Sequence, residues 1–252
     1  MDRCLPLTAP LARAFADNAR KHLAQPFVIN NKPGASGVIG WSDVVNSKPD
    51  GYKLALMTVE LTILPHLGLS KFGVEEFTPI ARMKFDPAAI TVKGDAPWNS
   101  LEAFIAAAKK ANGEMKVGNS GNGSIWHLAA ASVEDKAGAK FSHIPFQGAA
   151  PAVLSLPGGH VDAVTVSPAE VAPHLASGKL KMLGVMADQR LKAFDKVPTL
   201  KERGIDVAIG AWRGLGAPKN TPKDVIDMLE VVTRKTMAGP ALREAKDKLA
   251  LG

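Results

Sequence analysis

The chain alternates short apolar runs with amphipathic helical stretches from Thr8 onward, separated by turns rich in Gly, Pro and Asn, and this alternation restricts the fold more than any other feature. Leu11, Phe15, Ala19 and Leu23 recur every four residues behind Thr8, which predicts a helix ending at Gln25-Pro26. A strand is expected at Phe27 to Ile29. The turn Asn31-Lys32-Pro33-Gly34-Ala35-Ser36-Gly37 then opens a helix with Val38, Trp41 and Val45 on its apolar stripe, and Pro49-Asp50-Gly51 turns the chain into a strand from Tyr52 to Met57. The same pattern predicts helices at 62–67, 101–111, 127–137, 149–156 and 169–176, and strands at 79–83, 88–92, 142–144, 161–166 and 181–185. Repeated βα units imply an α/β fold with mostly parallel sheets flanked by helices.

With 252 residues and 46% hydrophobic content, the chain can build one large α/β domain or two smaller lobes. Two lobes are favoured by Lys84 to Trp98, where Asp86-Pro87 and Asp95-Ala96-Pro97 flank a short strand, and by the return Gly210 to Pro218. These read as two crossings. The expected division is 1–96 plus 214–252 in the first lobe and 97–213 in the second, with a helix from Pro222 to Ala238 packing back on the first.

The net charge of +7 favours anionic partners. Lys and Arg are scattered among acidic residues and aromatics make up only 6%, which argues against a nucleic-acid surface. A single cysteine, Cys4, rules out an internal disulfide and a cysteine-based zinc site. No apolar run is long enough for a membrane helix, and Met1 to Leu7 lacks the apolar core of a signal peptide.

The richest local signal is Lys116 to Trp126, an apolar strand ending in a glycine-rich loop that carries Ser120, Asn122 and Ser124 and leads into a helix. Gly118, Gly121 and Gly123 would allow positive φ and close ligand approach, and the helix start offers unpaired N–H groups to an anion. An ordinary capped turn is equally consistent. Two more strand ends share the theme, at Ser36-Gly37 and at Phe146-Gln147-Gly148-Ala149, and ligands of open α/β sheets bind at strand carboxyl ends.

Signatures of chemistry fail one by one. The P-loop lacks its Lys after the last glycine, the dinucleotide fingerprint fails on spacing at Gly34, Gly37 and Gly40, and Gly118-Asn119-Ser120-Gly121-Asn122 is not a nucleophile elbow. The six histidines show no metal-ligand spacing. An enzyme on this scaffold would have to use His127, Asp162 or Glu60, and an effector-sensing domain would need a helix-turn-helix that is not recognisable here.

Taken together, Val28-Ile29-Asn30-Asn31-Lys32-Pro33-Gly34-Ala35-Ser36-Gly37, Pro49-Asp50-Gly51-Tyr52, Gly118 to Ser124 with His127-Leu128, and His143 to Gly148 resemble the Bug family, the extracytoplasmic solute receptors of tripartite tricarboxylate transporters. Gly158 to Asp162, Gly178-Lys179-Leu180, Val197-Pro198-Thr199 and Ala217-Pro218-Lys219 extend the likeness to the end of the chain. The resemblance implies a two-lobed periplasmic binding protein that closes over a small carboxylate in a cleft between the lobes, without chemistry or cofactor. It implies a monomer that delivers its ligand to membrane permease subunits. By position, the implied ligand residues are Ala35, Ser36, Gly37 and Thr58 on the first lobe. On the second lobe they are Asn119, Ser120, Asn122, Gly123, Ser124 and His127, with Phe146, Gln147, Gly148 and Ser167. Members often carry aspartate near Val166 and Ser167; its absence removes a partner for an amino-bearing ligand. Members also begin with a strand and a glycine-containing loop where this chain has Asp2 to Leu7, and run beyond Leu251-Gly252, so truncation at both ends, with the first strand missing, is expected. Pro157, after Leu156, replaces an apolar residue usual in members.

Overall fold

The structure, a computed structural model, describes residues 8–32 and 34–240. The expectations placed on Asp2 to Leu7, Cys4, Pro33 and Leu251-Gly252 lie outside the described residues, and of Ser36 the backbone alone is described. In order, the elements are α1 (Thr8–Ala19), α2 (Val38–Val45), β1 (Ala55–Thr58), α3 (Glu60–Ile63), β2 (Phe77–Pro87), β3 (Ala89–Lys93), α4 (Leu101–Ala111) and β4 (Lys116–Asn119). They continue with α5 (Ile125–Ala137), β5 (Ser142–Pro145), α6 (Ala149–Ser155), β6 (Ala163–Val166), α7 (Pro168–Ala176), β7 (Leu180–Val185), β8 (Gly210–Pro218) and α8 (Lys223–Ala238). Among the described residues, no helix is long and apolar enough to cross a membrane.

The chain divides into two compact units. Asp86–Ala211 forms the second, and the described residues up to Phe85 and from Trp212 form the first. Sequence reasoning put the passages at 96/97 and 213/214, whereas they fall at 85/86 and 211/212. The first difference comes from β3, which follows β2 after the single residue Ala88. Ala88 N donates to Ile209 O at 2.9 Å and Ala88 O accepts from Met186 N at 2.7 Å, so the chain is already bound into the second unit there.

Among the described residues, the first unit holds a three-stranded sheet in the order β1-β8-β2, with β1 antiparallel to β8 and Thr58 opposite Arg213. Trp41 ties α2 to this sheet, its Nε1–H donating to Leu56 O at 3.1 Å. One apolar cluster gathers Trp41, Val44, Met57, Leu61 and Phe77; another joins Phe15 of α1 to Ile80, Met83, Leu215 and Leu229 of α8, as expected for a helix returning to this unit. The strand expected at Phe27 to Ile29 is not formed. Among the described residues this segment has no ladder partner, which a strand requires, and a cavity of about 310 Å³ is lined by it together with Phe15, Leu54 and Leu56. Helix α1 also stops six residues early, at Ala19, where His22 N bonds back to Ala19 O in a tight turn.

The second unit holds a five-stranded sheet in the order β5-β4-β6-β3-β7. β5, β4 and β6 are parallel, whereas β3 is antiparallel to both β6 and β7. The expectation of mostly parallel sheets is therefore corrected to mixed sheets in an α/β fold. β3 comes directly from β2 of the other sheet and inserts between β6 and β7 against the direction of both. Its core packs Ile90, Phe104, Val117, Val133, Leu156, Val164 and Leu200, all essentially buried.

Candidate functional site

The register of β5, β4 and β6 brings three expected segments together. Gly118 lies beside Ile144 on one side and Val164 on the other, and Asn119 beside Pro145. Ser120 to Ser124, Phe146 to Gly148 and Ser167 therefore all leave the same carboxyl edge of one sheet. Phe146 N extends the ladder by donating to Asn119 O at 3.0 Å.

The loop after β4 is shaped mostly by its own hydrogen bonds. Asn119 Oδ1 accepts from Gly121 N at 3.0 Å, Ser124 N donates to Gly121 O at 3.1 Å, and His127 Nδ1 accepts from Gly123 N at 3.1 Å. Gly121 and Gly123 do have positive φ, 120° and 74°. Gly118 does not: it lies within β4, where a Cβ would sit 3.2 Å from both Phe146 Cε2 and Val164 Cγ1. Its value is room for the Phe146 ring rather than a turn.

Ser124 is the N-cap of α5, its Oγ accepting from His127 N at 3.2 Å. That leaves the amides of Ile125 and Trp126, the first two of the helix, without intrahelical acceptors and with the positive end of the helix dipole behind them. The helix start is anchored beneath by Trp126, which is buried and whose carbonyl accepts from Thr165 Oγ1 of β6 at 2.8 Å. Asn119 is fully buried, and its Nδ2 has no hydrogen-bond partner among the described residues. The Gly121 N–H fixes which side-chain atom is oxygen, so the orphan is a true donor. A buried donor left unpaired costs about 1–3 kcal/mol.

Other expected residues are already engaged. The Ser167 hydroxyl donates to Glu170 Oε2 at 3.0 Å within the capping box of α7. In the first unit Thr58 is buried, and its hydroxyl donates to Glu60. Gln147 and Asn122 are exposed, while Ser120 and Gly148 are half-buried. Ala35 and Gly37 lie in a single 3-10 turn leading into α2, and Ala35 has φ 48°, a left-handed conformation that costs a non-glycine residue roughly 1–2 kcal/mol. Strain of that kind concentrates where backbone meets ligand.

The residues an enzyme would need are kept apart or occupied. Asp162 lies at the opposite end of the sheet from the loop, its Oδ2 accepting from Lys116 N at 2.8 Å where β4 begins. Among the described residues, no group of three or more His, Cys, Asp or Glu is placed to hold a metal ion. Sequence reasoning missed Glu134 and His143, which bond to each other at 2.9 Å, while the His143 ring packs edge-on against His127 at 4.7 Å. Glu134 lies seven residues beyond His127, two turns along the same helix, and that spacing was the available signal.

Residues 11–251 match the family described as the tripartite tricarboxylate transporter family receptor, TctC. A UPF0065 protein in the gbd 5'region of Cupriavidus necator is 35% identical over 94% of this chain and 72% of its own, and protein BugT of Bordetella pertussis is 31% identical over 94% and 74%. Among solved structures, a TctC solute binding protein from Polaromonas has 57% identity and a TM-score of 0.93, covering 97% of this chain and 84% of that one. MatC from Rhodopseudomonas palustris with bound malate and an R. palustris protein with adipate are each 25% identical over 97% of this chain. They have TM-scores of 0.72 and 0.76 and are covered to 84% and 83%. The fold is that of periplasmic binding proteins, and the chain belongs to the TctC, or Bug, family of tripartite tricarboxylate transporter receptors: it is a solute receptor, not an enzyme.

Proposed function

We propose that this receptor captures a small di- or tricarboxylate, or a related organic acid, in the periplasm and delivers it, as a monomer, to the permease subunits of a tripartite transporter. The observation that carries the reading is the edge of the second unit's sheet. There, buried Asn119 Nδ2 lacks an acceptor beside a loop running into a capped helix start whose first two amides have no intrahelical partner. A carboxylate oxygen satisfies such donors and meets the helix dipole with the right sign. Malate and adipate in the two R. palustris structures support a small carboxylate as the ligand class. The proposed contacts in the second unit are Asn119, Ser120, Asn122, Gly123, Gln147 and Gly148, with the first turn of α5. In the first unit they are Ala35, Ser36 and Gly37. Ser124 fixes backbone by accepting from His127 N, and the Thr58 and Ser167 hydroxyls are engaged by the Glu60 and Glu170 carboxylates, so these three support the site rather than meet the ligand.

A thermal-shift screen over malate, adipate and citrate tests this. A ligand present at about a hundredfold its Kd adds about 2.7 kcal/mol, which raises Tm by roughly 5–10 °C for a chain of this size. No shift with any of a broad set of mono-, di- and tricarboxylates, on protein that melts cooperatively, sinks the reading.

A further inference from the structure

His127 occupies the third position of α5, and its ring is turned to structural use. It is half-buried, and Nδ1 accepts from the Gly123 amide at 3.1 Å. An imidazole nitrogen accepts only when it carries no proton, so this bond requires a neutral ring with its hydrogen on Nε2. Gly123, at φ 74°, is the last loop glycine before the helix cap, so the direction of its amide governs how the loop enters α5.

The surroundings favour the neutral ring. Burial foremost, then His143 of β5, hold His127 below the usual histidine range, while Glu134 of α5 acts in the opposite direction. The positive end of α5 adds to the first two. Glu134 itself is engaged by the Phe141 amide at 2.6 Å and by His143 at 2.9 Å.

We propose that neutral His127 is a positioning residue that latches the loop from Gly121 to Ser124 in its ligand-binding shape, and that the receptor releases its carboxylate when this ring takes up a proton. The inference rests on the reading that this loop grips a carboxylate. Protonation makes Nδ1 a donor facing another donor, the Gly123 N–H, so the latch becomes a repulsion and the amide turns away. A ring that instead touched the ligand would act with the opposite sign, because an imidazolium attracts an anion.

The test uses the intact protein, with His127→Asn, whose side-chain oxygen can accept in place of Nδ1 and does not titrate, and His127→Leu, which cannot accept. In ligand-free protein, the Gly123 amide resonance should follow the titration of the His127 ring between about pH 8 and about pH 5. Calorimetry with malate and adipate at the same two pH values should show wild type losing about two- to tenfold more affinity on acidification than His127→Asn, the loss of one hydrogen bond. Protonation of the ligand itself is common to both proteins and cancels in that comparison. His127→Leu should bind weakly already at the higher pH, with no extra loss on acidification. A Gly123 amide indifferent to His127 overturns the latch, as does equal pH dependence in wild type and His127→Asn, or a relative gain by wild type in acid. Binding at the higher pH with equal pH dependence sinks the latch alone. Absence of binding to both acids while Gly123 still follows His127 sinks the receptor reading for these ligands, and acid release with it.

Discussion

Asn119 places three polar atoms under three different demands. Its carbonyl accepts from Phe146 N and its Oδ1 from Gly121 N, so both acceptors fix backbone, and only Nδ2 is left over. Asn119→Asp keeps the acceptor for Gly121 and replaces the spare donor with a second acceptor oxygen. If Nδ2 meets a ligand carboxylate, that change sets oxygen against oxygen, and affinity should fall by about ten- to a hundredfold, roughly 1.4 to 2.8 kcal/mol. Calorimetry on the screen's best ligand, with the Tm of the free variant as control, checks this; unchanged affinity in folded variant would remove Asn119 from the site. At this scale the sequence was legible in kind but not in role. Glycine, serine and asparagine at 118–124 announced a special loop, yet a one-dimensional pattern cannot separate glycines that turn, at 121 and 123, from one that makes room, at 118. That distinction depends on the Phe146 ring arriving from another strand.

An element that carries both its own stop and its own start signal can be legible to the residue, although the capped starts of α5 and α7 fall two residues and one residue earlier than expected. Helix α4 runs from Leu101 to Ala111 as expected, because Ser100 caps its start, accepting from Ala103 N at 3.2 Å, and Asn112 ends it in the left-handed conformation. Ser100→Ala should therefore cost about 1 kcal/mol of stability, measured as a lower denaturant midpoint at unchanged slope. A loss below about 0.3 kcal/mol would mean the cap bond is replaced by water. Elements defined by a partner were less legible. Phe27 to Ile29 has strand composition but, among the described residues, no neighbour to pair with, and β3 has the apolar run of a buried strand without any local mark of its reversed direction. Strand direction is a property of connection and pairing, which is why alternation alone suggested parallel sheets where mixed ones form.

For the whole molecule, the alternation of elements and the two crossing segments disclosed a two-unit α/β chain, but the position of the first passage depended on which sheet takes β3. That assignment has an energetic consequence. The second unit is a single continuous segment, Asp86–Ala211, with a five-stranded sheet and an apolar cluster drawn entirely from its own residues, among them Phe104, Val117, Val133, Leu156 and Leu200. The first unit needs two distant segments, with α1 and α8 meeting across the length of the chain. A continuous segment with its own core closes only internal loops and can fold as a unit, whereas a discontinuous one must also bring its two ends together. Residues 86–211 expressed alone should therefore give a cooperative thermal transition with coincident near-ultraviolet and far-ultraviolet circular dichroism changes, the mark of a fixed core. The complementary fragment of residues 8–85 should show no such transition, since it lacks β8, the central strand of its sheet. Far-ultraviolet signal without a near-ultraviolet transition in 86–211 would mean that its core is completed only by the rest of the chain, and the assignment of β3 to a self-sufficient second unit would fail.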